Sequence, residues 1–201
     1  MIKNIVFDIG RVMADFDVEV YLKHLGFNAE DVEKYKRMVF YSEEWGALNT
    51  SVYDMSKVRE VLLNKYPEEK ENLSRIIDEI DFKYILFEKE DSTEYLISLK
   101  EKGYKIYLLS DLSRESFPYN SSMRFFDYIE GGIYSFEIGT LKPSDNNYER
   151  LLGDFGLVGE ETIFIDDRKE NVEAAGKFGI HGIQFTTLDE VKEKVSSLLE
   201  E

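Results

Sequence analysis

MIKNIVFDIG, residues 1–10, decides the fold of this 201-residue chain. Its apolar run Ile5, Val6, Phe7 stops at Asp8 and reaches Gly10 two residues later, the pattern of a short buried strand feeding a tight turn. An acid there lies at the strand's carboxyl end, the edge along which open α/β sheets bind ligands. Three later stretches repeat the arrangement: Ser110 follows 105–109, Lys142 follows Gly139, and Asp166 with Asp167 follows 163–165. One strand-end Asp is ordinary turn chemistry. Polar groups in four such places form a candidate site.

Working outward, the composition restricts what that site can do. With 41 acidic against 25 basic residues the formal charge is -16, so the overall field repels nucleic-acid phosphates and anionic lipid. The expected partner is a small phosphorylated metabolite, not nucleic acid or membrane. The sequence has no Cys, which excludes disulfides, a thiolate nucleophile and cysteine zinc sites. Two histidines, His24 and His181, are too few for a multi-histidine metal cage and argue against a Ser-His-Asp triad. Oxygen and ammonium groups remain. No run approaches the roughly 18 apolar residues of a membrane span, and the N-terminus enters a strand rather than a signal peptide. The expectation is a cytoplasmic monomer or weak homodimer.

Along the chain, residues 11–17 alternate enough to be an extended excursion or hairpin. From 18 to 90 the apolar spacing turns helical and glycine nearly vanishes, which predicts an all-helical cap. Its aromatic residues are read as helix packing, apart from the turn 40–45, a candidate pocket wall. Asp91 and Glu94 have capping-box spacing for a helix ending at Gly103, and Thr187 and Glu190 have it for the last helix. Strands are expected at 104–109, 132–136, 162–165 and 182–185, and helices at 145–152 and 169–178. The aromatic cluster Phe125, Phe126 and Tyr128 is expected to pack under the sheet. The expected fold class is α/β: a Rossmann-like parallel sheet core, 1–17 and 91–201, with helices on both faces and an inserted helical cap, 18–90.

In a parallel sheet with right-handed crossovers, Asp8, Ser110, the Lys142 loop and Asp166 converge on one edge. Three carboxylates there repel one another and need a cation to stay ionised. Mg²⁺ fits, because it prefers oxygen ligands and takes one or two carboxylates together with substrate phosphate. Such a set suits phosphoryl transfer through an aspartyl-phosphate. Asp8 attacks phosphorus, Lys142 and Mg²⁺ hold the equatorial oxygens, and water then hydrolyses the acyl-phosphate.

The ordered segments FDIGRV, LLSD, GTLKP and FIDDRKEN resemble the four motifs of the haloacid dehalogenase-like (HAD) hydrolase superfamily, and 18–90 falls where that family inserts a helical cap. The chain most resembles the bacterial sugar-phosphatase branch that includes alpha-D-glucose-1-phosphate phosphatase. The resemblance implies Asp8 as nucleophile and metal ligand, the Gly10 carbonyl and Asp166 as further metal ligands, and Ser110 and Lys142 as phosphate-binding groups. Asp111 stands in the same phosphate-binding turn, and Asp167 and Asn171 support the ligands. It implies a Mg²⁺-dependent phosphomonoesterase acting on a small metabolite such as a sugar phosphate.

Two departures stand out. Most phosphatases of the superfamily carry a second Asp, a general acid/base, where this chain has Gly10; losing such a group commonly costs about 10² to 10⁴ in rate. Sugar phosphatases of the resembling branch also have glycine there. Asp111 replaces a usual Asn, and a carboxylate near phosphate must turn away or meet a cation. Arg11 and Arg114 are the nearest cations in sequence, and the sequence does not choose between them. The competing readings are a metal-independent 2-haloacid dehalogenase, disfavoured by the paired Asp166 and Asp167, and a non-catalytic sensor of phosphorylated ligands.

Overall fold

Alternation along three short runs places the core. In the computed structural model, which describes residues 1–200, Ile5 and Phe7 point into one apolar cluster and Val6 into another. Ile106 and Leu108 oppose Tyr107 and Leu109 in the same way, and Ile163 and Ile165 oppose Phe164. Runs apolar on both faces are what a parallel sheet covered on both sides requires.

The strands are β1 (Asn4–Phe7), β2 (Ala14–Phe16), β3 (Leu86–Glu88), β4 (Lys105–Ser110), β5 (Gly131–Tyr134), β6 (Thr162–Asp166) and β7 (His181–Gln184). Five form a parallel sheet in the order β5-β4-β1-β6-β7, with β1 in the middle. Its register pairs Phe7 with Leu108 on one side and with Ile165 on the other.

Helices α1 (Val18–His24), α2 (Ala29–Tyr35), α3 (Glu43–Gly46), α4 (Met55–Lys65) and α5 (Lys70–Asp78) fill the chain between β2 and β3. Asp17, Asn28, Ser42 and Asp54 cap the first four through side-chain oxygens, as short polar residues do at helix starts. The remaining helices are α6 (Glu90–Glu101), α7 (Phe117–Asn120), α8 (Ser135–Ile138), α9 (Asp145–Phe155), α10 (Lys169–Gly176) and α11 (Leu188–Glu200). Leu96 of α6 and Val191 of α11 join the apolar cluster on one face of the sheet, with Phe125. Leu151 of α9 and Ala175 of α10 join the cluster on the other.

Local structure departs from the sequence reading in three places. The excursion 11–17 turns at 11–13, where the Arg11 amide donates to the Ala14 carbonyl at 2.7 Å, and is extended over β2, but β2 pairs antiparallel with β3, so 86–88, the end of the stretch expected to be helical, is a strand. The third core strand stops at Tyr134 because Ser135 leaves the ladder; its hydroxyl takes the Leu112 amide at 2.9 Å and donates to the Asn49 carbonyl at 2.6 Å. Asp91 is not a cap but lies in the first turn of α6, which starts after Lys89. The Glu88 carboxylate holds that junction, accepting from the Thr93 hydroxyl at 2.7 Å and the Arg124 amide at 3.1 Å. At the last helix the expected bond is present, from the Glu190 amide to the Thr187 hydroxyl at 3.3 Å.

One glycine sets how β6 enters the sheet. A Cβ built on Gly159, in the turn before β6, would lie 2.0 Å from the Phe178 carbonyl oxygen. Backbone on both sides cannot yield, so Gly159→Ala is expected to cost about 1–3 kcal/mol. Chemical denaturation should show a lower midpoint with an unchanged slope.

Candidate active site

Because β1 lies between β4 and β6, its terminal acid comes to rest between theirs. The Asp8 amide donates to the Ile165 carbonyl at 2.9 Å, which fixes Asp8 against β6, and Ser110 ends β4 on the other side. Lys142 arrives on the loop after α8, where Gly139 stops the helix at φ 69. The Lys142–Pro143 peptide is cis.

The Lys142 ammonium is the hub. It lies 2.8 Å from Asp8 Oδ1 and 2.6 Å from Asp166 Oδ2, and donates to the Leu109 carbonyl at 3.0 Å. Asp8, Ser110, Lys142, Asp166 and Asn171 are all buried. Burial pushes the Asp8 carboxyl up from 3.8 to about 6; Lys142 opposes that shift and the Asp166 charge adds to it. Burial pulls the Lys142 ammonium down, but Asp8, Asp166 and Asp111 outweigh it and hold the group above its ordinary range. Asp166 is pinned at both oxygens: Oδ1 accepts from the Arg168 amide at 2.8 Å, and Asn171 Nδ2 bridges Oδ1 and Oδ2 at 2.9 and 3.0 Å.

The structure brings Asp8, Ser110, Asp111, Lys142, Asp166 and Asn171 to one place. Gly10 borders it, since a Cβ built there would lie 3.9 Å from Asp8 Oδ2. Asp111 answers the question of its cation with neither arginine: its Oδ1 accepts the Lys142 backbone amide at 3.0 Å, which ties the lysine loop to the end of β4. Burial raises its carboxyl and Lys142 opposes the rise. Arg114 lies over the Phe136 ring, and Arg11 is 3.4 Å from Asp167 Oδ2. Asp17 caps α1, and Asp15 lies 3.9 Å from Lys89. Tyr148 escaped the sequence reading. Its hydroxyl donates to the Asn171 carbonyl at 2.8 Å from α9, and at helical spacing it is indistinguishable from packing.

These residues fit a hard divalent cation. Asp8, Asp166 and Asp167 each offer a carboxylate oxygen, all within 4.8 Å of one another. The donors are all oxygen, and one lysine is shared among acids whose charge burial penalises, so a cation restores the balance.

Beside the carboxylates opens a cavity of about 350 Å³ between the sheet edge and the helical segment. Ser110, Asp111 and Gly10 line one part; Phe40, Trp45 and Phe82 line another. A π-helical turn, Lys36–Phe40, follows α2 and delivers Phe40, whose ring meets Trp45 edge-on at 4.7 Å.

A family model described as haloacid dehalogenase-like hydrolase matches residues 2–179. The chain is 27% identical over 203 aligned positions to D-ribitol-5-phosphate phosphatase of Bacteroides thetaiotaomicron, covering 92% of each chain. It is 33% identical over 95 positions to the sesquiterpene phosphatase astK of Aspergillus oryzae, covering 47% of this chain and 48% of that one. Among solved structures, a HAD family enzyme of Bacteroides thetaiotaomicron in complex with magnesium and inorganic phosphate superposes with a TM-score of 0.71 at 20% identity, over 95% of this chain and 99% of the other, a likeness of fold. Four motifs in order, their convergence at the end of β1, and a family model spanning most of the sequence agree: the chain belongs to the haloacid dehalogenase-like hydrolases.

Proposed function

We propose that this hydrolase is a Mg²⁺-dependent phosphomonoesterase acting on a small phosphorylated metabolite through an aspartyl-phosphate on Asp8. The observation that carries the reading is the buried Lys142 ammonium within 2.8 Å of Asp8 and 2.6 Å of Asp166 at the carboxyl edge of the sheet. The acid-rich, all-oxygen cluster and the names of the phosphatase relatives support it.

Asp8 is the nucleophile: one carboxylate oxygen forms the bond to phosphorus as the alcohol oxygen leaves with the bonding pair. Lys142 and the Ser110 hydroxyl donate to the phosphoryl oxygens, where negative charge concentrates in the transition state. Mg²⁺ held by Asp8, the Gly10 carbonyl and Asp166 would supply charge neutralisation between carboxylates and phosphate. Asp167 and Asn171 hold that arrangement, Asn171 through its two bonds to Asp166. Asp111 positions Lys142 through the loop amide. Water taken up after the alcohol leaves cleaves the acyl-phosphate and frees Asp8. With Gly10 in place of an acid, the departing alkoxide draws its proton from water.

Residues 18–90 act as the cap, which sets the alcohol accepted. The two relatives named above take a polyol phosphate and a terpenoid phosphate by name, so the phosphate chemistry does not dictate the leaving group. The enzyme is proposed to work in the cytoplasm, consistent with a cysteine-free sequence. All the proposed groups come from one chain, so a monomer or weak homodimer suffices. No helix among the described residues is long and apolar enough to cross a membrane.

Phosphate release from sugar, polyol and aryl phosphates, with Mg²⁺ or with chelator, tests the reading. Turnover should fall at least about 10²-fold on chelation, the scale of losing one electrostatic stabiliser, and return with Mg²⁺. Metal-independent halide release from 2-chloropropionate, with no phosphate from any ester, would instead make the chain a dehalogenase.

A further inference from the structure

The cavity beside Asp8 is lined in a way that selects the alcohol. Away from the phosphate end its wall is Phe16, Phe40, Trp45, Phe82, Leu86 and Leu112, four of them within residues 18–90 and two on the core. No lysine, arginine or histidine lines it, and its one charged residue, Asp111, has an oxygen committed to the Lys142 amide. A second anionic group on the substrate would have no counter-charge.

The polar side chains are mostly spent on their own backbone. Ser42 Oγ accepts from the Trp45 amide and donates to the Val39 carbonyl. Ser113 and Ser116 bond each other, at 3.0 Å, and their own turn. Asn120 donates through Nδ2 to the Ser116 carbonyl, and its buried Oδ1 has no partner. Tyr41, largely exposed, and Asn49 complete the polar lining. A chain of four or five hydroxyls entering here gives up water for too few partners, the Tyr41 hydroxyl, the Asn49 amide and Asn120 Oδ1, whereas an apolar chain gains by burial. One hydroxyl, by contrast, meets the waiting Asn120 acceptor.

We propose that this cavity takes the alcohol of an uncharged, largely apolar phosphomonoester, with no more than one or two hydroxyls, in preference to polyol, bisphosphate or nucleotide substrates. The inference rests on the phosphomonoesterase reading for turnover, but the cavity can be tested without it. Trp45 is the only tryptophan of the chain and stands in the wall, so its fluorescence reports occupancy.

The experiment is a ladder of n-alkyl phosphates from ethyl to hexyl, with phenyl phosphate, ribitol 5-phosphate and glucose 6-phosphate, at fixed Mg²⁺. A parallel titration follows Trp45 emission with the matching n-alkyl phosphonates, which cannot be hydrolysed. Burial predicts kcat/KM rising about fourfold for each methylene until the cavity is full. Hexyl phosphate should exceed ribitol 5-phosphate at least tenfold, and phosphonate affinity should climb with the same slope. A flat ladder with ribitol 5-phosphate or glucose 6-phosphate preferred overturns the proposal while leaving the phosphatase intact. If no ester, phenyl phosphate included, releases phosphate, the phosphatase reading fails; the Trp45 titration then decides the cavity, a rising phosphonate series supporting an apolar site and a flat one refuting it.

Discussion

Asp8→Asn should abolish phosphate release, lowering kcat by about 10⁴ to 10⁶, the scale on which removal of a nucleophile is felt. The substitution keeps the shape and removes one charge, so the loss is chemical. Its second consequence runs the other way. The Asp8 carboxyl is pushed up from 3.8 to about 6, chiefly by burial, so the ionised form is a burden on the metal-free fold. Between those values the native state holds a proton that the unfolded chain has lost. The contribution of Asp8 to stability is therefore full below about 3.8 and is lost as pH rises through about 6. Metal-free wild type should lose up to about 3 kcal/mol relative to Asp8→Asn between pH 4 and pH 7. Denaturation of both proteins across that range measures the difference directly, and parallel curves would refute the assignment. A protein that sacrifices stability to keep a carboxylate ready is the expected state of a nucleophile awaiting its cation.

Lys142→Ala should injure the fold as much as the reaction. Its ammonium is the cation shared by Asp8 and Asp166, both buried. Removing one partner of a buried ion pair costs about 3–5 kcal/mol because the remaining charges stay uncompensated. For a chain of this length that is a fall in Tm of roughly 10 °C or more. Catalysis should drop a further 10²- to 10³-fold through lost stabilisation of the phosphoryl oxygens. Mg²⁺ should raise the Tm of the variant by more than that of wild type, since the cation then meets carboxylates with no competing ammonium. Equal Mg²⁺ shifts in the two proteins would show that the metal and the lysine do not share these acids. Lys142→Arg should fail to restore activity, because a planar fork cannot take the place of a point charge lying between two carboxylates and the Leu109 carbonyl.

Strands β1, β4 and β6 were legible because each is apolar on both faces and runs abruptly into a polar residue, and few other structures produce that signature. The helix stop near Gly103 was legible for a similarly local reason, since that glycine adopts positive φ, whereas α9 runs past the expected 152 to Phe155 and α10 ends at Gly176, short of 178. What escaped the sequence depended on distant partners. Three-residue strands such as β2 and β3 carry almost no pattern, and about seventy residues of helical segment separate them. The Asp91–Glu94 spacing is a valid cap signal, but the chain leaves β3 directly into α6, and Glu88 already occupies the junction. Asp111 presented a true ambiguity: sequence proximity favoured Arg11 or Arg114, and the structure supplied a backbone amide from the Lys142 loop. Of the site, the residues proposed to do chemistry were visible at strand ends, whereas a residue that braces them, Tyr148 through the Asn171 carbonyl, looked like ordinary core.

The place of β1 at the centre of the sheet bears on how the protein is born. On the ribosome Asn4–Phe7 emerges well before its two neighbours in the sheet, Lys105–Ser110 and Thr162–Asp166. The strand that ends at Asp8, apolar on both faces, must therefore wait for about 150 further residues before its second neighbour leaves the exit tunnel. Nascent chains stalled short of β6 can close at most one side of it, and the carboxylate cluster cannot exist in them. Long-range pairing of this kind slows folding and leaves apolar edges open to aggregation in the interval. The proposed catalytic centre is thus completed only after β6 is made, and the strand that organises the finished sheet is exposed to aggregation until then.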